Sequence, residues 1–197
     1  MPKLGQVAAD ALEAQDRQEI AKPALEYALA RTAFGWVAVA GSEWALVAST
    51  LPQESAGAAL AALHPGSGAA SESPRWRETC DRLRAYFDGE PVTFPEPVDL
   101  SRFTAFQRLV LSELRLVPYG QTCTYGSLAK ACGCPRSARA AGQAVGRNPL
   151  PVIIPCHRVV AAQGYGGFGG GLDVKLRLLG LEGFSSRARL RARESLG

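Results

Sequence analysis

The chain has 197 residues, 47% of them apolar, and a net charge of +4. That length accommodates one large domain or two small ones around a sizeable core. No apolar run approaches the length of a membrane span, and the first 24 residues lack the apolar segment of a secretion signal. The five cysteines do not have the spacing of a secreted disulfide-bonded protein, so we expect a cytoplasmic protein with reduced thiols.

The charge is divided unevenly along the chain. Residues 1–100 hold 8 Lys and Arg against 14 Asp and Glu, a balance of −6, whereas residues 101–197 hold 14 against 4, a balance of +10. A basic half suggests a polyanionic partner, with nucleic acid as the leading candidate. A solvated basic surface is the plainer alternative.

The first half of the chain predicts a small α/β domain. Residues 1–24 are expected to form a helix or a tail, and short strands are predicted over about 25–32, 36–40 and 44–49, in an antiparallel sheet. A helix is predicted over 73–88, with Ser73 as its N-cap, because apolar residues recur there on one face. Three prolines between 91 and 97 mark a boundary, which places this domain at residues 25–97.

The second half predicts a mostly helical domain over residues 98–184, followed by a flexible basic tail over 185–197. Thr104 and Gln107 have the spacing of a capping box at the start of one helix. Two shorter helices, about 125–131 and 136–146, are separated by Gly133-Cys134-Pro135, which is typical of a helix-turn-helix. The predicted fold class is therefore α/β (α+β), with a winged-helix-like C-terminal domain.

The second of these helices carries almost only small side chains around Arg139. Small side chains let a helix approach DNA closely, but Ala and Gly also serve tight packing between helices. Both interpretations stay open on the residues alone.

A cysteine next to a histidine, Cys156-His157, follows the apolar run 152–154, which predicts a buried strand. A thiolate is a strong nucleophile, and its pKa falls when His, Lys or Arg stands near. A packed core cysteine is the alternative, because free cysteines are among the most buried residues.

These segments together resemble the O6-alkylguanine-DNA alkyltransferase family, also called methylated-DNA-protein-cysteine methyltransferases. The resemblance covers about residues 100–183 in order and spacing. It is carried by Val117-Pro118-Tyr119-Gly120, Thr124-Tyr125, Ala138-Arg139-Ala140, Asn148-Pro149, Pro155-Cys156-His157-Arg158-Val159, and Gly170-Gly171-Leu172 leading to Lys175 and Glu182.

The resemblance implies a single-use DNA repair protein that transfers an alkyl group from O6-alkylguanine, and possibly O4-alkylthymine, to its own Cys156. His157 would act as the base through a water, and Glu182 would orient its imidazole as the acid does in a hydrolase triad. Tyr125 would donate to the departing guanine. Asn148 would tie the helix-turn-helix to the active-site loop.

The resemblance also implies that the protein flips the damaged nucleotide out of duplex DNA. Arg139 would fill the space left in the stack while the small residues around it, Ala138, Ala140 and Gly142, lie in the minor groove. Arg136 and Arg147 would contact phosphates.

The substrate pocket would include Val159, Phe168, Gly169 and Lys175. The family commonly has Tyr and then Ser or Ala where this chain has Phe168-Gly169, so contacts from those side chains are lost while backbone contacts can remain. We expect a monomer that binds double-stranded DNA near the nucleoid, with no membrane association, no cofactor and no metal, since Cys132 and Cys134 lack a full set of zinc ligands.

Two alternatives belong to other functional classes. A module that binds alkyl lesions and recruits other repair factors would lack the acceptor cysteine, whereas Cys156 is present. A Cys-His hydrolase unrelated to DNA would turn over, and the helix-turn-helix argues against it.

Overall fold

The computed structural model describes residues 25–63 and 71–184. The predicted N-terminal helix or tail (1–24) and the predicted basic tail (185–197) lie outside the described residues. Within the described part, no helix is both long and apolar enough to cross a membrane.

A four-stranded sheet forms most of the first half. Strands β1 (Glu26–Thr32), β2 (Gly35–Gly41) and β3 (Leu46–Ser49) are antiparallel as predicted, and a short β4 (Ser71–Glu72) pairs parallel with β1. The strand order is β3-β2-β1-β4. Trp44 was predicted within the third strand, but it lies in the preceding turn with 73% of its surface exposed.

Two helices pack with this sheet. Helix α1 (Ala56–Ala62), which was not predicted, buries Ala59 among small residues of the sheet such as Ala38 and Ala40. A 3-10 turn (Pro74–Trp76) leads into α2 (Arg77–Phe87), and Ser73 caps this turn as expected. The apolar face of this helix is buried in the main core, as its periodicity predicts.

The second half is mostly helical. Helix α3 (Ala105–Arg115) begins at the capping box of Thr104 and Gln107, which confirms that prediction. Helices α4 (Tyr125–Ala131) and α5 (Ala138–Gly146) form the helix-turn-helix. The second helix starts two residues later than predicted, because the Ser137 amide donates to the Cys134 carbonyl and closes a turn there (2.9 Å).

The predicted buried strand over 152–154 is wrong. These residues form a tight turn in which the Ile154 amide donates to the Leu150 carbonyl (2.7 Å), and Val152 has a φ of 74°. Prolines at 149, 151 and 155 have no amide hydrogen, so this stretch cannot donate a regular ladder of hydrogen bonds. A 3-10 turn over Cys156–Arg158 follows.

The chain then completes a short two-stranded parallel sheet and a last helix. Strand β5 (Cys123–Thr124) pairs with β6 (Val159–Val160), and α6 (Leu172–Leu181) follows a glycine-rich loop over residues 164–171. The mixed α/β class with a mostly helical C-terminal part is thus confirmed.

The two halves share one hydrophobic core, which includes Leu83 from the first half and Leu111 from the second. Hydrogen bonds also join them, since the Ser49 amide donates to the Pro149 carbonyl (2.9 Å) and the Ser49 hydroxyl to the Pro151 carbonyl (3.0 Å). The division into domains at residues 97 and 98 stays a prediction.

Candidate active site

A cavity of about 610 Å³ opens where the end of β3 meets the helix-turn-helix and the turn before Cys156. Its lining includes Leu51, Tyr125, Gly142, Asn148, Cys156 and Phe168. Cys156 therefore lies beside a cavity to which both halves of the chain contribute.

The Cys156 thiol is nearly buried, with 9% of the residue exposed. Burial raises its pKa, and the Asn148 side chain and the positive charge of Lys175 oppose that rise only in part. The free protein consequently holds a thiol at neutral pH, rather than the thiolate that a neighbouring histidine alone suggests. Nucleophilic attack requires a base.

His157 and Glu182 form a fully buried pair, with 2.7 Å between the imidazole Nε2 and the carboxylate Oε1. Burial lowers the pKa of His157, although the hydrogen bond and charge of Glu182 oppose this effect. The imidazole is therefore neutral at neutral pH, which is the form that can accept a proton.

Glu182 stays ionised because it accepts several hydrogen bonds. Burial alone would raise its pKa, but the hydrogen bonds from His157 and Arg158, together with the positive charge of Arg158, outweigh burial and hold the pKa at about 2. Arg158 Nε lies 2.9 Å from Oε2, and the Gly120 amide donates to the same oxygen (3.0 Å). The hydroxyl of Tyr86, from α2, donates to Oε1 (2.8 Å).

The ionised carboxylate decides which imidazole nitrogen carries the hydrogen. An unprotonated Nε2 would direct its lone pair at an anion 2.7 Å away, so Nε2 is protonated and donates to Glu182. Nδ1 then carries the lone pair. This atom is buried and makes no hydrogen bond with the described residues.

Asn148 closes the turn that precedes the cysteine. Its Nδ2 donates to the Ile154 carbonyl (2.7 Å), and its Oδ1 accepts from the Leu150 amide (3.0 Å). The side chain, which follows the end of α5, thus connects the helix-turn-helix with the loop that carries Cys156.

The ring of Tyr125 lies between two glycines at the cavity. A Cβ at Gly142 would lie 3.6 Å from the Cδ1 atom of the ring, and a Cβ at Gly166 would lie 3.1 Å from Cε2. The hydroxyl donates to the Gly167 carbonyl at 3.4 Å, and burial raises its pKa. The hydroxyl therefore remains a hydrogen-bond donor.

Of the four predicted pocket residues, two line the cavity and two do not. Phe168 and Gly169 are part of the lining, whereas Val159 and Lys175 are not. Lys175 is fully buried, and its Nζ donates to the carbonyls of Val159 (2.6 Å), Tyr165 (2.6 Å) and Gly167 (3.3 Å). Its ammonium group holds in place the glycine-rich loop (164–171), which forms one wall of the cavity and is called the glycine-rich wall below.

The predicted DNA-contacting arginines lie on the surface around the helix-turn-helix. Arg139 is exposed in the first turn of α5, and Arg136 and Arg147 are exposed at either end of this helix. Ala140 is also exposed and Ala138 is half-buried, so the small side chains leave the backbone of α5 open to a large partner.

In residues 25–63 and 71–184, no group of three or more His, Cys, Asp or Glu could hold a metal ion. The five cysteines, Cys132 and Cys134 among them, are free thiols.

Comparison with known proteins assigns the family. Residues 105–184 match the model of the 6-O-methylguanine DNA methyltransferase DNA-binding domain. The Methylated-DNA--protein-cysteine methyltransferase of Mycolicibacterium paratuberculosis is 46% identical over 122 residues, which are 61% of this chain and 73% of that protein. The chain belongs to the O6-alkylguanine-DNA alkyltransferase family. The resemblance inferred from the sequence is thereby confirmed.

Other alkyltransferases support the same assignment. The protein of that name from Methanosarcina acetivorans is 46% identical over 109 residues, 55% of this chain and 69% of that protein. A crystal structure of Mycobacterium tuberculosis OGT in complex with DNA matches with a TM-score of 0.68 and 36% identity, covering 80% of this chain and 92% of that chain. The enzyme from Pyrococcus kodakaraensis matches with a TM-score of 0.61 and 27% identity, covering 81% and 99% of the two chains.

Sequence reasoning gave no role to two residues of this candidate site, Arg158 and Tyr86. An arginine inside the apolar stretch around Cys156 needs a buried partner, and that requirement was a usable signal for Arg158. Tyr86 lies 71 residues before His157, and no local pattern predicts that contact.

Proposed function

We propose that this alkyltransferase repairs DNA by moving the alkyl group of O6-alkylguanine onto the sulfur of Cys156, once per molecule. The supporting observation is the position of Cys156, which borders a cavity between the helix-turn-helix and the glycine-rich wall and precedes the buried His157–Glu182 pair. A thioether resists hydrolysis, so the product would persist.

The proposed reaction begins with removal of the thiol proton. His157 Nδ1 would accept it through one water, and Glu182 would stabilise the resulting imidazolium as the acid of a triad does. The sulfur then attacks the saturated carbon, so the S–C bond forms as the C–O6 bond breaks. The electron pair stays with guanine, which takes up one proton and is restored.

Tyr125 is the proposed donor to the departing guanine. Its hydroxyl stays protonated because burial raises its pKa, and its ring is fixed between Gly142 and Gly166 beside the cavity. Asn148 would hold the cysteine loop and support the thiol through its own amide.

The proposed binding mode is minor-groove contact by α5 with extrusion of the damaged nucleotide, by a monomer acting in the cytoplasm at the chromosome. Arg139 would occupy the gap in the base stack, and Arg136 and Arg147 would contact phosphates. The exposure of all three arginines around a helix of small residues supports this binding mode.

Intact-protein mass spectrometry tests the transfer. After incubation with a duplex containing O6-methylguanine, we expect a gain of one methyl on Cys156, equal in amount to the protein. The Cys156→Ala variant should bind the duplex without gaining mass, and Cys123→Ala should react like the wild type. Binding without any mass gain would favour a lesion-binding module, and turnover would favour a hydrolase.

Comparing two substrates tests the role of Arg139. Arg139→Ala should slow transfer from duplex DNA by about 10- to 100-fold, with transfer from a free O6-alkylguanine base unchanged. Arg136→Ala serves as the matched control for loss of one exposed positive charge. Equal losses on both substrates would contradict the flipping role.

A further inference from the structure

We propose that Tyr86, from the N-terminal half of the chain, is a positioning residue of the alkyl transfer: its hydroxyl holds the Glu182 carboxylate so that His157 keeps a free Nδ1 lone pair. This inference rests on the proposed transfer to Cys156. It assigns the N-terminal half a part in the chemistry of the C-terminal half.

The position of Tyr86 in the fold carries this inference. It is the penultimate residue of α2 and 1% exposed, and its hydroxyl lies 2.8 Å from Glu182 Oε1 and 3.1 Å from His157 Nε2. Phe87 and Tyr119 pack edge-on against its ring, with centroids 5.1 and 6.0 Å away. The hydroxyl is therefore held in place by a rigid helix and by its aromatic neighbours.

A hydroxyl carries one hydrogen, so it donates to one of these two atoms. Nε2 already carries a hydrogen that it donates to Glu182, which leaves the carboxylate as the acceptor for Tyr86. The Tyr86 oxygen then presents a lone pair beside Nε2. Both contacts favour the tautomer with hydrogen on Nε2 and disfavour its movement to Nδ1.

The other charged groups around His157 do not duplicate this contact. Arg158 and Lys175 bring positive charge that opposes an imidazolium, and Glu182 brings the only negative charge that faces His157 among the described residues. Tyr86 and Cys156, which also titrate, are both protonated in the free protein because burial raises their pKa values. The pKa of His157 therefore depends on how the negative charge of Glu182 is shared among the groups that donate hydrogen bonds to it.

Replacing Tyr86 by Phe changes that sharing in a predictable direction. Glu182 loses one donor on Oε1 and directs more of its charge at Nε2, so the imidazolium becomes easier to form and the pKa of His157 rises. The acid limb of the transfer rate should move up by about one pH unit. The plateau rate should fall about tenfold, since the carboxylate and imidazole are less well fixed.

The experiment uses the full chain and single-turnover transfer from an O6-methylguanine duplex between pH 5 and 9. Tyr86→Phe is compared with Tyr119→Phe, which removes a nearby hydroxyl that lies 3.0 Å from the carbonyl oxygens of Gly89 and Leu181 and contacts neither Glu182 nor His157 through a hydrogen bond. DNA affinity is measured for each variant. We expect a slower rate and a displaced acid limb for Tyr86→Phe alone, with unchanged affinity for both.

Nitrogen-15 spectra of labelled histidine provide a readout that does not need activity. The chain has two histidines, so a His64→Asn variant assigns the signals of His157. Wild-type His157 should show a protonated Nε2 and a bare Nδ1, and Tyr86→Phe should raise its pKa. A wild-type Nδ1 that carries the hydrogen, or a Tyr86→Phe variant with wild-type rate and His157 titration, would overturn the inference. Failure of the wild type to transfer methyl would instead refute the proposed function.

Discussion

Replacing Glu182 by Gln should be among the most destabilising single changes in this protein. The carboxylate accepts from Tyr86, His157, Arg158 and the Gly120 amide, and its side chain has no exposed surface. A glutamine of nearly equal size keeps one carbonyl oxygen but removes the charge. Arg158, whose side chain is 9% exposed, then loses its buried ionic partner.

Two separate estimates of the unfolding free energy lost in Glu182→Gln agree in magnitude. Breaking a buried ion pair by removing one partner costs about 3–5 kcal/mol. The fall of the Glu182 pKa from 4.5 to about 2 corresponds to about 3 kcal/mol. Because the folded pKa lies below the unfolded value, this stabilisation is complete above about pH 5 and is lost as the pH falls towards 2.

Urea unfolding at several pH values between 7 and 3 measures both effects. Glu182→Gln should lower the free energy of unfolding by about 3 kcal/mol at pH 7, with the difference from wild type shrinking as the pH falls. Glu78→Gln is the matched control, because it breaks an ion pair with Arg82 in which the glutamate is 84% exposed. A cost for Glu182→Gln no greater than that of Glu78→Gln, or a difference independent of pH, would refute the buried ion-pair reasoning.

Three further changes test other parts of the structure. Lys175→Met removes the ammonium group that donates to the carbonyls of Val159, Tyr165 and Gly167, so amide hydrogen exchange over 159–167 should quicken by at least about tenfold. Thr124→Ala removes the capping box of α4 and should lower the free energy of unfolding by about 1 kcal/mol, as measured by urea unfolding. Leu51→Ala widens the cavity, so the ratio of O6-benzyl to O6-methyl transfer rates should rise; an unchanged ratio would exclude Leu51 as a wall of the alkyl site.

Local signals were sufficient for most of the helices. The capping box before α3 and the glycine-containing turn between α4 and α5 act within a few residues of the helix ends they determine. The apolar run 152–154 was misassigned because periodicity cannot distinguish a short strand from a buried turn. The flanking prolines and the Asn148 side chain, which bonds one backbone carbonyl and one backbone amide of this stretch, stabilise a turn there instead of a strand.

The candidate site divides in the same way between near and distant contacts. Cys156, His157 and Asn148 lie within ten residues of one another, so a sequence motif can indicate them. Tyr86 reaches Glu182 across 96 residues, through the packing of α2 against the second half of the chain. That contact depends on the shared core, which no short pattern encodes.

The protonation states of Cys156 and His157 bear on how a protein proposed to react only once protects its cysteine from side reactions. Burial keeps Cys156 as a thiol and His157 as a neutral base, so neither is reactive alone. Proton transfer between them creates an ion pair, which is costly in a buried site unless the new charges are met at once. In the proposed transfer, Glu182 would stabilise the imidazolium, and the alkylated carbon would consume the thiolate. On this proposal, an alkylated base in the cavity supplies the condition under which the nucleophile forms.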